Sequence, residues 1–223
     1  MTTMATSRLN RLPAAERGIT IGDFLVPIRV GERLSTRARH LVLIVAGATL
    51  IALTANYSVP VPGSPVPITG QTFSVLLVGG ALGFRRGLLA TALYVVLGFF
   101  LPVYAQHDSG IATIATIHGG SIALGATGGY LVGFIVAGGL VGRLAELGWD
   151  RRLVGAVAAM AIGNVLIYVV GIPWLMAAAH LGLADALQAG LRPFLVGDAI
   201  KLLLAGGLFP VAWWVVHHRP GER

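Results

Sequence analysis

The sequence predicts an all-α integral membrane protein of six transmembrane helices, with its N and C termini in the cytoplasm. Three observations predict it: too little charge for a water-facing surface, six apolar runs of helical length, and arginines gathered on alternate connections. Charged residues make up 11% of the 223 positions and hydrophobic residues 56%, and the mean hydropathy is +0.81. A soluble domain normally carries about a quarter charged residues, so lipid is the solvent this surface suits. The 31 glycines fit the same reading, since small residues let membrane helices approach closely and are unfavourable in a soluble helix. There is no cysteine, which excludes disulfides, thiol nucleophiles and cysteine-ligated metals.

In chain order, residues 1–39 are polar and hold Arg8, Arg11, Arg17, Arg29, Arg33, Arg37 and Arg39. This stretch is too long and too charged for an ordinary cleaved signal peptide. It reads as a cytoplasmic tail, with an amphipathic piece around residues 19–30 lying on the lipid surface. A membrane domain over 40–217 and a short cytoplasmic tail over 218–223 complete the organisation. Within the domain the apolar segments run over 41–55, 71–84, 88–101, 127–144, 153–174 and 194–216. Several fall short of the ~20 residues that a perpendicular span needs, and the second and third read as spans or as a re-entrant pair. The charge record favours spans. Arg85 and Arg86 lie between segments two and three, Arg143, Arg151 and Arg152 around the junction of four and five, and Arg219 and Arg223 after six. With the tail, these place fourteen of the sixteen basic residues on one side, while the loops 56–70 and 102–126 carry none. That is the positive-inside asymmetry. A nucleic-acid surface needs clustering that this alternation lacks.

The opposite loops have a different character. Residues 59–67 read VPVPGSPVP, an extended and stiff stretch. Residues 105–121 hold Gln106, His107, Asp108, Ser109 and His118 and form a polar flap, and residues 174–190 include a short amphipathic helix at the interface. Long loops gathered on one face usually carry function.

Only one stretch puts ionisable groups inside a span, Asp198 and Lys201 in PFLVGDAIKLLLAGG. Three positions apart, they share a helix face. A charge inside a membrane is expensive and is read first as functional; the alternative is a mutual ion pair holding helices in register. Lys201 is the only lysine in the chain. Thr69 and Gln71 open segment two, as ligand contacts or as a helix cap. Asn164 and Tyr168 share a face of segment five, for a ligand or for a neighbouring helix. Tyr94 either bonds a ligand or fills the interior. Trp174, Trp213 and Trp214 read as interface anchors, with Trp174 also at a position for a pocket wall. Ala48 and Ala52 form a small-xxx-small pair on segment one, a docking face for another helix.

Catalytic patterns are missing. The sequence has no G-x-S-x-G elbow, no H-E-x-x-H and no phosphate-binding loop, and its histidines have no metal-site spacing. No cofactor or metal is expected, and the chain cannot energise transport by ATP hydrolysis itself. An intramembrane enzyme would have Ser74 or Ser121 as nucleophile, with no histidine in a span to activate either.

The order of motifs resembles the BioY family, the biotin-binding S components of energy-coupling factor (ECF) transporters. The carriers are PVPITGQTF, LGFRRG, Tyr94 followed by LPVYA, GGSIALGATGGYLVGF, then Asn164, Tyr168, Gly171 and Trp174, and finally RPFLVGDAIK. They cover about residues 41–216. Gly70, where the family commonly has leucine, and Phe99–Phe100 depart from its pattern. The resemblance implies a six-helix subunit in the bacterial inner (plasma) membrane that binds biotin under loop flaps. It also implies a transmembrane coupling protein and two cytoplasmic ATPases as partners. In that setting Asp198 accepts ureido N–H bonds, Asn164 donates and accepts, and Gln71 and Tyr94 complete the polar lining. Lys201 either pairs with the ligand carboxylate or steadies Asp198. An S component for another vitamin is the neighbouring alternative.

Overall fold

The computed structural model describes residues 18–25, 35–118 and 121–217. The remainder of the expected N-terminal tail, and the tail over 218–223, lie outside the described residues. The chain is mostly helical. Its helices are α1 (Thr36–Ala55), α2 (Gln71–Leu82), α3 (Phe84–Leu97), α4 (Gly128–Glu146), α5 (Leu153–Ala179), the short α6 (Leu183–Gly190) and α7 (Leu195–His217). Ser35 caps α1, its hydroxyl accepting from the Ala38 N–H at 3.2 Å, so the helix begins before residue 40.

Among the described residues four helices are long and apolar enough to cross a membrane: α1, α4, α5 and α7. Helices α2 and α3 have only 12 and 14 residues, and at 1.5 Å per residue each falls short of a hydrocarbon core about 30 Å thick. Membrane character therefore stands on four helices by length, where the sequence predicts six spans. A single residue, Gly83, separates α2 from α3. Its φ of 84° is open to glycine and strained for residues with a Cβ, and it reverses the chain without a loop.

Helix α4 is central. Two-thirds of its membrane-length stretch is buried, against α2, α3 and α5. Its glycines explain the fit. A Cβ on Gly79 would lie 2.5 Å from the Gly138 carbonyl oxygen, and one on Gly87 2.9 Å from the Gly79 Cα. Three backbones meet where side chains would hold them apart. Helix α1 packs on α2 and α3, and α7 on α5 and α2.

Both loops at the N-terminal end of α2 contain strands that the all-α expectation lacks. Strands β1 (Ser58–Val59) and β2 (Ile68–Thr69) pair antiparallel and close the proline-rich stretch into a hairpin. Strands β3 (Ala115–His118) and β4 (Ser121–Leu124) pair with Ile117 opposite Ile122. The second hairpin has a local cause, two short runs with β-branched residues flanking Gly119–Gly120 in the sequence.

At the other end, Thr20 and Ile21 are buried. The short helical turn Gly22–Leu25 is tied down by an Asp23–Arg86 ion pair of 2.8 Å. Trp213 is buried rather than lipid-facing. A buried indole N–H needs an acceptor, and Asp150 Oδ2 provides one at 2.7 Å. Trp214 is exposed.

Candidate functional site

Three helices, α2, α4 and α7, begin at the same end of the molecule, and their first turns border one cavity of about 660 Å³. Hydrophobic walls come from Leu131, Phe134, Ile167 and Phe194, and the roof from the proline-rich hairpin and residues 104–113. Each helix N-terminus carries the positive end of its peptide dipole. Their convergence makes the cavity favourable for negative charge, over and above the side chains.

The principal cluster is built on Asp198, in the first turn of α7 and only 3% exposed. Its Oδ2 accepts from Asn164 Nδ2 at 3.2 Å and from the Tyr168 hydroxyl. Its Oδ1 accepts from Lys201 Nζ at 3.2 Å, and the same ammonium donates to Thr72 Oγ1 at 3.3 Å. The i,i+4 spacing puts Asn164 and Tyr168 on one face of α5, and α7 packs against that helix. An ionised carboxylate offers about four acceptor positions, and three are used among the described residues. Asn164 Oδ1 is buried and has no hydrogen-bond partner among the described residues.

A second polar group lies on α2. Thr69 Oγ1 donates to Gln71 Oε1 at 2.9 Å, and Gln71 Nε2 donates to the Tyr94 hydroxyl. Tyr104 packs edge-on against Tyr94, centroids 5.9 Å apart, and donates to the Val95 carbonyl at 2.6 Å. Burial, with Asp108 adding to it, pushes the Tyr104 phenol up to about 12, which keeps it a neutral donor.

Of the residues singled out from the sequence, Asp198, Lys201, Gln71, Thr69 and Tyr168 line the cavity. Asn164 and Tyr94 stand behind it and orient Asp198 and Gln71. Trp174 is not on the cavity wall; its indole N–H donates to the Gly125 carbonyl at 2.9 Å and pins the approach to α4. Ala48 is buried and Ala52 packs against the chain's own core, so the helices docked on this face are the chain's own α2 and α3.

Sequence reasoning missed Tyr130 and Thr72 as site residues. Tyr130 lines the cavity and donates to the Gly190 carbonyl at 2.9 Å. A Cβ on Gly171 would lie 2.7 Å from its ring, so distant glycines make its slot. The flap adds Gln106, His107, Asp108 and Ser109 to the lining, as the polar-flap expectation had it. Gln106 and His107 hold φ of 61° and 59°, unusual for residues other than glycine and concentrated at functional sites.

Fold and site together define a helical membrane protein with one polar-centred cavity at the end where its loops gather. The sequence pattern of the BioY family matches residues 29–218. The biotin transporter BioY2 of Lactococcus lactis subsp. cremoris is 33% identical over 172 residues, covering 76% of this chain and 87% of that protein. The biotin transporter BioY of Thermotoga maritima is 36% identical over 164 residues, 73% of this chain and 90% of its own. This chain belongs to the BioY family. The crystal structure of the S-component for biotin from an ECF-type ABC transporter has the same fold, with a TM-score of 0.70 at 23% identity over 80% of this chain and 93% of that one.

Proposed function

We propose that the protein is the biotin-capturing membrane subunit of an ECF-type uptake system. It is a binding and transport subunit rather than an enzyme. The observation that carries the reading is the Asp198 cluster, set at the wall of a cavity that combines apolar and polar side chains, with one carboxylate position unused. Biotin presents two ureido N–H donors and a carbonyl acceptor, an apolar fused sulfur ring, and a carboxylate on a flexible tail. Asp198 accepts from the ureido donors, held in place by the Asn164 amide, and the apolar walls cover the sulfur ring. Lys201, Thr72 and the converging helix termini favour the carboxylate. Gln71 and Thr69, held by Tyr94, complete the polar lining, and Trp174 and Tyr168 support it from behind and beside.

The arginine distribution supports six spans with both termini cytoplasmic, α2 and α3 serving as the two short ones, and the cavity facing outward. On this reading the membrane is the bacterial plasma membrane and the residues before α1 lie on the cytoplasmic side. A transmembrane coupling protein and two ATPases supply the energy. Equilibrium binding of labelled biotin to the detergent-purified chain, with unlabelled thiamine and riboflavin as competitors, tests the reading. Saturable binding displaced by biotin alone is expected. Displacement by another vitamin reassigns the substrate, and no binding by folded protein removes the proposal.

A further inference from the structure

A second depression, of about 710 Å³, lies at the opposite end from the cavity, between the start of α1, the α2–α3 turn and the end of α4. Its polar residues are His40, Arg85, Arg86, Arg143 and Glu146, and its apolar ones Ile44, Leu82, Phe84 and Leu89.

The two acids in and beside the depression are already occupied. Asp23 holds Arg86, whose second amino group also donates to Thr20 Oγ1 at 3.0 Å. Glu146 takes the Arg143 Nη1 at 3.0 Å on one oxygen and the Phe84 N–H at 2.8 Å on the other. Arg85 and His40 have no hydrogen-bond or ion-pair partner among the described residues. The Arg143 side chain stays 58% exposed, with donors to spare. Beside these cations, Phe84 is 41% and Leu89 50% exposed. Positive charge next to open hydrocarbon, at the end of a membrane bundle, is complementary to an amphipathic anion. Basic pockets between membrane helices are the usual sites for acidic lipid head groups.

We propose that this depression binds an anionic phospholipid, its phosphate between Arg85 and Arg143 and its acyl chains along Phe84, Leu89 and Ile44. Arginine suits the role because its planar fork pairs two phosphate oxygens at once.

The test is native mass spectrometry of the full chain in detergent, titrated with phosphatidylglycerol or phosphatidylcholine of matched chains. One retained phosphatidylglycerol and no retained phosphatidylcholine are expected, with retention of the acidic lipid falling about tenfold or more in the Arg85→Gln/Arg143→Gln variant. Millimolar glycerol phosphate separates a lipid site from a free-phosphate site; full displacement by it overturns the lipid assignment. Equal retention of both lipids, or undiminished retention in the double variant, also overturns it. A measurement on the unaltered protein guards against a folding artefact. Phosphatidylglycerol should slow phenylglyoxal modification of Arg85, mapped by peptide mass spectrometry, and no protection counts against the proposal.

Discussion

Asp198 is a buried carboxylate whose charge is balanced by one ammonium and two neutral donors. Removing one partner of a buried pair strands the other, which destabilises more than the pair itself contributes. Lys201→Met should therefore lower the thermal midpoint in detergent, and adding Asp198→Asn should recover much of that loss. Biotin affinity of the same set decides the role of Lys201. If the lysine only steadies Asp198, the double variant binds no worse than Asp198→Asn; if it holds the ligand carboxylate, the losses add. Tyr168→Phe deletes one hydrogen bond to the carboxylate and should weaken biotin binding by about 1.5–3 kcal/mol, roughly tenfold to a hundredfold by titration. Asp198 and Lys201 were legible in the sequence because ionisable groups inside an apolar run are conspicuous. Asn164 and Tyr168 were legible as a shared face, although only the fold joins that face to Asp198 across 34 positions. Tyr130 was not legible, because its slot is made by Gly171 and Gly190, 41 and 60 residues away.

Among the elements, the α2–α3 hairpin depends on glycine contacts with α4 rather than on length. Gly138→Val would push a branched side chain into Thr91, whose hydroxyl oxygen lies 2.7 Å from the position of a first added carbon. Overpacking of this kind costs about 1–3 kcal/mol, which a lowered thermal midpoint should show. Gly207→Ala, where an added carbon meets nothing within 4 Å, is the control and should leave the midpoint nearly unchanged. Gly70 has a similar cause: a Cβ there would lie 2.8 Å from the Thr54 carbonyl oxygen. A leucine at this position would need α1 to give way. Helix cores were easy to locate from hydropathy, which integrates over many residues. Helix ends were not. Helix α5 continues through Pro173 to Ala179, five residues beyond its apolar segment, and the two hairpins are too short for a periodic signal to outweigh the prolines and polar residues around them.

For the molecule as a whole, the segment over residues 18–25 works as a clasp across the end opposite the cavity. Arg86 holds Asp23, Arg151 Nη2 reaches the Ile19 carbonyl at 3.2 Å, and the Arg151 guanidinium lies 3.3 Å from the Trp213 ring centroid. Asp150, in the turn between α4 and α5, is buried beneath them. Burial pushes its pKa from 3.8 up to about 6, against the pull of the Trp213 N–H and the Arg151 charge. The folded chain thus keeps this proton to higher pH than the unfolded chain does. Its contribution is fully present below pH 3.8 and is lost as pH rises through about 6, a change on the order of 3 kcal/mol. Asp23 runs the other way. Burial raises its pKa, but the bonds from Arg86 and Thr20 outweigh that and bring it below 3.8. Its contribution is present above 3.8 and lost as pH falls through the lowered value. Asp150→Asn keeps an acceptor for Trp213 and removes the titration. Thermal midpoints at pH 5 and pH 7 should differ less in this variant than in the unaltered protein, and the variant should be the more stable of the two at pH 7. An unchanged pH dependence would falsify this assignment to Asp150.

The bond from Lys201 to Thr72 joins residues 129 positions apart in the chain. A ribosome delivers Thr72 to the membrane long before Lys201, so one wall of the cavity must wait, inserted and unsatisfied, for the other. Until α7 arrives, Thr72 and Gln71 face an incomplete bundle, and α5 holds Asn164 and Tyr168 without the carboxylate they serve. Ligand binding is then a property of the finished chain alone. Chains stalled or truncated before residue 195 should insert without acquiring it, which makes recognition itself a record of whether biogenesis has run to the end.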